Sequence, residues 1–296
     1  MTAEASSSAR ARLAEVIDRA TARAEAARRR SALVDTAFAT RERDQRVVGS
    51  VLAGAIAFRL FVYLLPLFLA VVSVLGILVG LNHDAADDLG EQLGLSRYIV
   101  DSVATASQES HRSLWVLVPL TLWAVYSGGL GAAKVLHAVH TLAWERPVER
   151  LQRGWLAALV TFGIALLVGM SVAGVQALRQ RSDGLGIGFA VAEVALLVAL
   201  ALLASLLLPH DPAAGWRDLL PGSVLVGAGF WVLHLVSAYV LAHRIASASE
   251  LYGSLGVAAA LLAWLFILGR LLVGSAMLNS TLWERRGQGR PTTPRG

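Results

Sequence analysis

The chain of 296 residues is 56% hydrophobic and only 16% charged, with a mean hydropathy of +0.60, whereas a soluble domain carries about 25% charged residues. That balance excludes an ordinary cytosolic enzyme, and the gathering of apolar residues into blocks excludes disorder. Cysteine is absent, which removes disulfides, thiolate nucleophiles and Cys-based zinc sites, while the formal charge of +5 has to be read from where the arginines lie.

Residues 1–46 form an arm with ten arginines. Leu13, Val16, Ile17, Ala20 and Ala24 recur there at helical spacing, which predicts an amphipathic helix, either resting on anionic headgroups or solvated. No signal peptide is expected, because no continuous apolar segment precedes the first long one. Residues 47–58 are apolar and read as a separate helix, at the inner interface or packed under the bundle, ending at Arg59. A hydrocarbon core about 30 Å thick takes roughly 20 apolar residues of helix to cross. Six runs qualify: 60–81, 114–133, 155–178, 187–208, 223–241 and 257–278. Pro66 predicts a kink in the first. Between the first two, residues 82–113 carry Leu89, Leu93, Ile99, Val100 and Val103, a pattern for one or two amphipathic helices over the outer mouth. A basic tail, 283–296, follows the last run.

These elements predict an all-α, polytopic membrane bundle of about six transmembrane helices over 47–282, with short loops and antiparallel neighbours. Short cytoplasmic loops are enriched in Lys and Arg. Segments 1–46, 145–153, 210–221 and 283–296 hold 18 arginines against five on the other side, so both termini are expected in the cytoplasm.

Ionisable groups inside a membrane are costly and usually face a bundle interior. Glu193 and His234 fall about two turns in from the outer ends of the fourth and fifth runs and should share a depth; they read as a proton-responsive couple or as a structural hydrogen bond. Arg270, near the middle of the sixth run, needs a carboxylate, backbone carbonyls or water, and is either a functional cation or a structural one that snorkels or pairs with Glu193. With Ser127 and Gly128, where small residues interrupt the second run, these three make a candidate polar path. Arg59 and Lys134, toward the inner boundary, are candidate lipid-headgroup contacts.

Catalytic motifs are missing. There is no Gly-x-Ser-x-Gly elbow, phosphate loop or His-Glu-x-x-His, so neither an enzyme nor an ATP-driven engine is expected. His137 and His140 lack a third local ligand, and neither metal nor cofactor is expected. Nucleic acid is not expected as a partner, since no aromatic residue is interleaved with the basic ones before Phe38. Membrane lipids are, along with envelope proteins or a second copy of the chain.

The stretch from Ala57-Phe58-Arg59 to Pro66 resembles the opening motif of the YihY/BrkB inner-membrane proteins. Trp216 to Gly222 resembles that family's loop, Leu251-Tyr252-Gly253-Ser254-Leu255-Gly256 its turn into the last helix, and Trp264 its helix tryptophan; Trp123, Ser127 and Gly128 match more loosely. Three departures stand out. Arg59 replaces an aromatic residue, Val62 or Tyr63 a small polar one, and Met277 the usual carboxylate, over a resemblance that runs from about Val47 to Trp283. The resemblance implies a multi-pass protein of a bacterial plasma (inner) membrane, tied to envelope integrity or lipid movement. Two functions follow as expectations: a lipid-handling or small-solute permease, or a non-transporting scaffold.

Overall fold

A backbone in hydrocarbon has no water to bond, so long apolar segments close their hydrogen bonds internally as helix. In the computed structural model, which describes residues 28–81, 114–147, 154–181, 186–236 and 254–288 together with 15, 25 and 26, seven helices and no strands are found among the described residues. They are α1 (Ala32–Arg46), α2 (Gly49–Leu81), α3 (Leu114–Ala143), α4 (Gly154–Arg181), α5 (Gly186–Leu207), α6 (Trp216–Val236) and α7 (Ser254–Gln288). The arm helix expected around Leu13 to Ala24, the outer helices expected in 82–113 and the Tyr252-Gly253 turn lie outside the described residues.

The six long helices form a ring. Each packs on its chain neighbour, and α7 closes the circle by packing on α2 as extensively as α5 does on α6. One end of the ring is knit by a core of Ala53 and Ile56 from α2, Val139, Ala143 and Trp144 from the end of α3, Ala214 and Leu219 at the start of α6, and Val273, Ala276 and Met277 from α7. The start of α2 and the later parts of α3 and α7 therefore share one level, as an up-and-down bundle requires. The outer surface stays apolar. Trp123, Leu159, Met170, Val191, Val232 and Ile267 are among many large hydrophobic side chains left exposed around it. In water such a surface would be untenable, whereas lipid tails cover it at no cost.

Three described helices are long and apolar enough to cross a membrane: Gly188–Leu207, Trp216–Val236 and Ala258–Gly287. A fourth is reached if α1 and the first half of α2, bent by 71° at their junction, count as one span. The composition of α1 argues against that, because it alone carries three arginines, two aspartates and a glutamate in 15 residues.

Two expectations are corrected here. Residues 47–58 do not form a separate helix, since α2 runs unbroken from Gly49 to Leu81 through Arg59 and Pro66. Arg59 does not end it because its exposed side chain lies along Gly131 of α3 and needs no break in the backbone. The segment Trp216 to Gly222 is likewise no loop but the first two turns of α6, with Pro221 inside the helix. Asn279 of α7 explains how. Its amide oxygen accepts from the Gly222 N–H at 2.7 Å and its amide nitrogen donates to the Leu219 carbonyl at 3.1 Å, tying down backbone near the disturbance that a helical proline causes. Glycine is needed at 222, where a Cβ would stand 2.5 Å from the Ser275 carbonyl oxygen.

Candidate functional site

Polar chemistry gathers at two levels. Inside the ring, Glu193 of α5 is only 3% exposed, although Val191 and Leu196 beside it face outward. The α5–α6 register is set where Gly227 meets the Val198 backbone so closely that a Cβ would lie 2.8 Å from the Val198 nitrogen. From that crossing Glu193 stands roughly 7.5 Å along α5 and half-buried His234 roughly 10.5 Å along antiparallel α6, toward the same end. The two residues are thus at nearly one height on adjacent helices.

A third interior group is Tyr63 of α2, which the sequence marks only as a departure from the family's small polar residue. It is 3% exposed, packs on Gly128 and Gly129, and its hydroxyl has no hydrogen-bond partner. Gly128 is open enough for that ring only because it lacks a Cβ, which would come within 2.8 Å of it. Ser127 next door is exposed and bonds the carbonyl of Ala124 in its own helix. The two neighbours therefore point to different surroundings. Lys134, further along α3, is exposed like Arg59.

The second level is the ionic base of the ring, around the α1–α2 corner. Arg270 reaches Asp44 of α1, its Nη1 and Nη2 donating to the two carboxylate oxygens at 3.1 and 2.9 Å. This fork is the strong geometry for a guanidinium and a carboxylate. Asp44 also lies against Gly49, so closely that a Cβ there would overlap its carboxylate. That is the first residue of α2, where free N–H groups favour an anion. Gly269 brings α7 near enough for the pair: its Cβ would be 2.5 Å from the Ala53 carbonyl oxygen.

Arg43, one residue before Asp44, is 3% exposed. Its Nη1 donates to Glu284 of α7 at 2.6 Å, and its Nη2 lies 3.2 Å from Glu145. Glu145 follows the end of α3 with φ of 49°, at the position of a helix-ending motif that glycine usually fills: Arg146 N–H bonds Thr141 and Glu145 N–H bonds Leu142. A glutamate held in that conformation is strained, and strain of this kind collects at working sites. Further round, Arg285 bridges to Asp35 at 2.7 Å and Arg286 pairs with Asp218. Asp35 also accepts from Arg28, and the guanidinium bond of Arg28, followed by that of Arg285, holds its carboxyl below the ordinary range. Among the described residues no three His, Asp or Glu side chains form a metal set.

Of the residues singled out from sequence, Glu193 and His234 come to adjacent helices, whereas Arg270 belongs to the ionic base through Asp44. The missed members, Arg43, Asp44, Glu145 and Glu284, sit in polar segments, where a charge attracts no notice.

The family model described as Virulence factor BrkB matches residues 41–295, a span that takes in the ring and the Arg43, Asp44, Glu145, Arg270 and Glu284 part of the ionic base, and reaches beyond the Val47 to Trp283 resemblance. No curated protein and no solved structure matches the chain.

Proposed function

The chain belongs to the virulence factor BrkB family of membrane proteins, and we propose that it is a multi-pass permease for lipid or a small solute, without an ATPase of its own. We adopt six crossings with both termini in the cytoplasm of a bacterial inner membrane, because the division of 18 arginines against five favours that topology. The observation that carries the permease reading is Glu193: a carboxylate buried on α5, a helix that is otherwise apolar over Gly188–Leu207. A charge in such a setting is costly, and polar function is the usual reason it persists. His234 at the same height and the unpartnered Tyr63 hydroxyl extend a polar route across the ring. Arg270 stands at its base.

The test is reconstitution in liposomes, following leaflet exchange of labelled phospholipid and uptake of small solutes with and without a proton gradient. Movement should exceed that of empty liposomes and fall at least tenfold in Glu193→Gln, whose unfolding midpoint stays near that of the parent. No movement for any cargo overturns the reading. Reporter fusions at both ends should report the cytoplasm, and opposite faces would discard the topology.

A scaffold reading rests on a different observation, the binding of α1 to α7 through Asp44–Arg270, Arg43–Glu284 and Asp35–Arg285. It expects envelope function to survive Glu193→Gln and to be lost when the arm is removed.

A further inference from the structure

We propose that the chain binds a singly charged phosphate oxyanion, a phosphodiester headgroup or free inorganic phosphate, in the pocket between α1 and α7 at the base of the ring. The pocket, about 200 Å³, is lined by Ala39, Glu42, Arg43, Arg46, Thr281, Glu284 and Arg285. One water needs only about 10–15 Å³ of such space, so there is room for a tetrahedral oxyanion.

Arg43 is the anchor. A guanidinium has five N–H donors, and this one is buried, yet its Nε and Nη2 make no hydrogen bond. The 3.2 Å approach of Nη2 to Glu145 is an ion pair without an aligned hydrogen. Unsatisfied donors of a buried cation in the wall of a cavity call for an acceptor. Arg46 supplies a second cation, held among the described residues by a 4.0 Å approach to the same Glu145. Arg285 supplies the third, braced from behind by Asp35.

The carboxylates of the lining are both occupied: Glu42 accepts from Arg28 at 2.8 Å and Glu284 from Arg43. With the groups paired to the lining included, Arg28, Arg43, Arg46 and Arg285 balance Asp35, Glu42, Glu145 and Glu284, so a singly charged oxyanion is matched when it takes the place of Glu145. Planar guanidinium forks suit phosphate better than a point charge does. The strained Glu145 is the built-in competitor, since it is the carboxylate nearest the open donors of Arg43. The site lies outside the Glu193–His234 level, so it stands or falls independently of the permease reading.

The experiment is titration of the purified full-length protein in neutral detergent, by calorimetry, with inorganic phosphate and with a short-chain phosphatidylglycerol. Saturable one-to-one binding of either is expected; phosphate alone identifies a soluble ligand, the lipid alone a headgroup, and both a site that reads only the oxyanion. Arg46→Gln, at an exposed side chain, should weaken binding about tenfold. Arg43→Lys, which keeps the charge and loses the fork, should weaken it as much. Glu145→Gly, which suits the left-handed backbone and removes the competitor, should tighten it severalfold. Arg29→Gln, an exposed arginine outside the pocket, should change nothing. Absence of saturable binding, loss in Arg29→Gln equal to that in Arg46→Gln, or an affinity indifferent to both Arg43→Lys and Arg46→Gln overturns the assignment.

Discussion

Arg270 and Asp44 meet across 226 residues of chain, both carboxylate oxygens held by one guanidinium. The arginine side chain is 37% exposed and the aspartate 16%, so water still screens the pair and its net worth is modest. Neutralising one partner leaves the other without its fork. We expect Arg270→Gln and Asp44→Asn each to cost about 1–3 kcal/mol, and the double substitution to cost little more than the larger single one. Unfolding midpoints of the four proteins in one detergent check this. Simple additivity would mean that the two side chains do not stabilise each other.

Close helix approach, not side-chain chemistry, sets where that pair can form. At Gly269 and Gly222 a Cβ would meet backbone oxygen at 2.5 Å, a contact that only movement of a whole helix relieves. Gly269→Ala and Gly222→Ala should each lose about 1–3 kcal/mol through overpacking. Gly54 of α2 has nothing within 4 Å of the same position, and Gly54→Ala should be neutral or gain up to about 1 kcal/mol, because alanine restricts the unfolded chain. Thermal unfolding of the three variants should separate them in that order, and equal losses would show that the backbones are not in contact as described.

Much of this ring can be read in the sequence, because runs of apolar residues must become helix in lipid. The start of α3, α4 and α5 falls within one residue of the expected runs. What hydropathy could not supply is where a helix ends among polar residues: α3 continues ten residues past 133 and α7 ten past 278, into the ionic base. The partner of Arg270 escaped notice for the same reason, since Asp44 lies in an arm crowded with charges and distant in sequence. Met277 is a further instance. Read as a missing acid, it is wholly buried in the core with Val273 and Ala276, filling space that a carboxylate could occupy only with a partner.

The α1–α2 corner stores strain at Val48, a β-branched residue with φ of 53° and an exposed side chain. Left-handed backbone costs an L-residue roughly 1–2 kcal/mol, and branching at Cβ makes it worse. Asparagine tolerates that region, so Val48→Asn should stabilise the protein by about 1 kcal/mol. The same change at exposed Val51, inside α2, should bring no gain. A rise in melting temperature for position 48 alone checks the corner's geometry, and no rise would mean that the turn relaxes in solution.

The clasp between α1 and α7 carries a pH dependence whose sign follows from Asp35. Bonding to Arg28, then to Arg285, lowers its carboxyl below the ordinary 3.8. A carboxylate with a depressed folded pKa contributes stability that is present above its unfolded pKa and is lost as pH falls through the folded value. The contribution is therefore complete at pH 5 and above and disappears only below pH about 4. A pair of spin labels, on Leu33 of α1 and Gly287 beyond Arg286, should keep a fixed separation from pH 7 to pH 5 and lengthen or broaden in acid. Asp35→Asn should show the broad distribution at every pH, with the ring's own unfolding little changed, because Arg285 would then keep only its bonds to the Thr36 hydroxyl and the residue 35 carbonyl. Separation that stays fixed in the variant at neutral pH would show that Arg43–Glu284 and Asp44–Arg270 hold the arm without it, and that the Asp35 bridge is incidental.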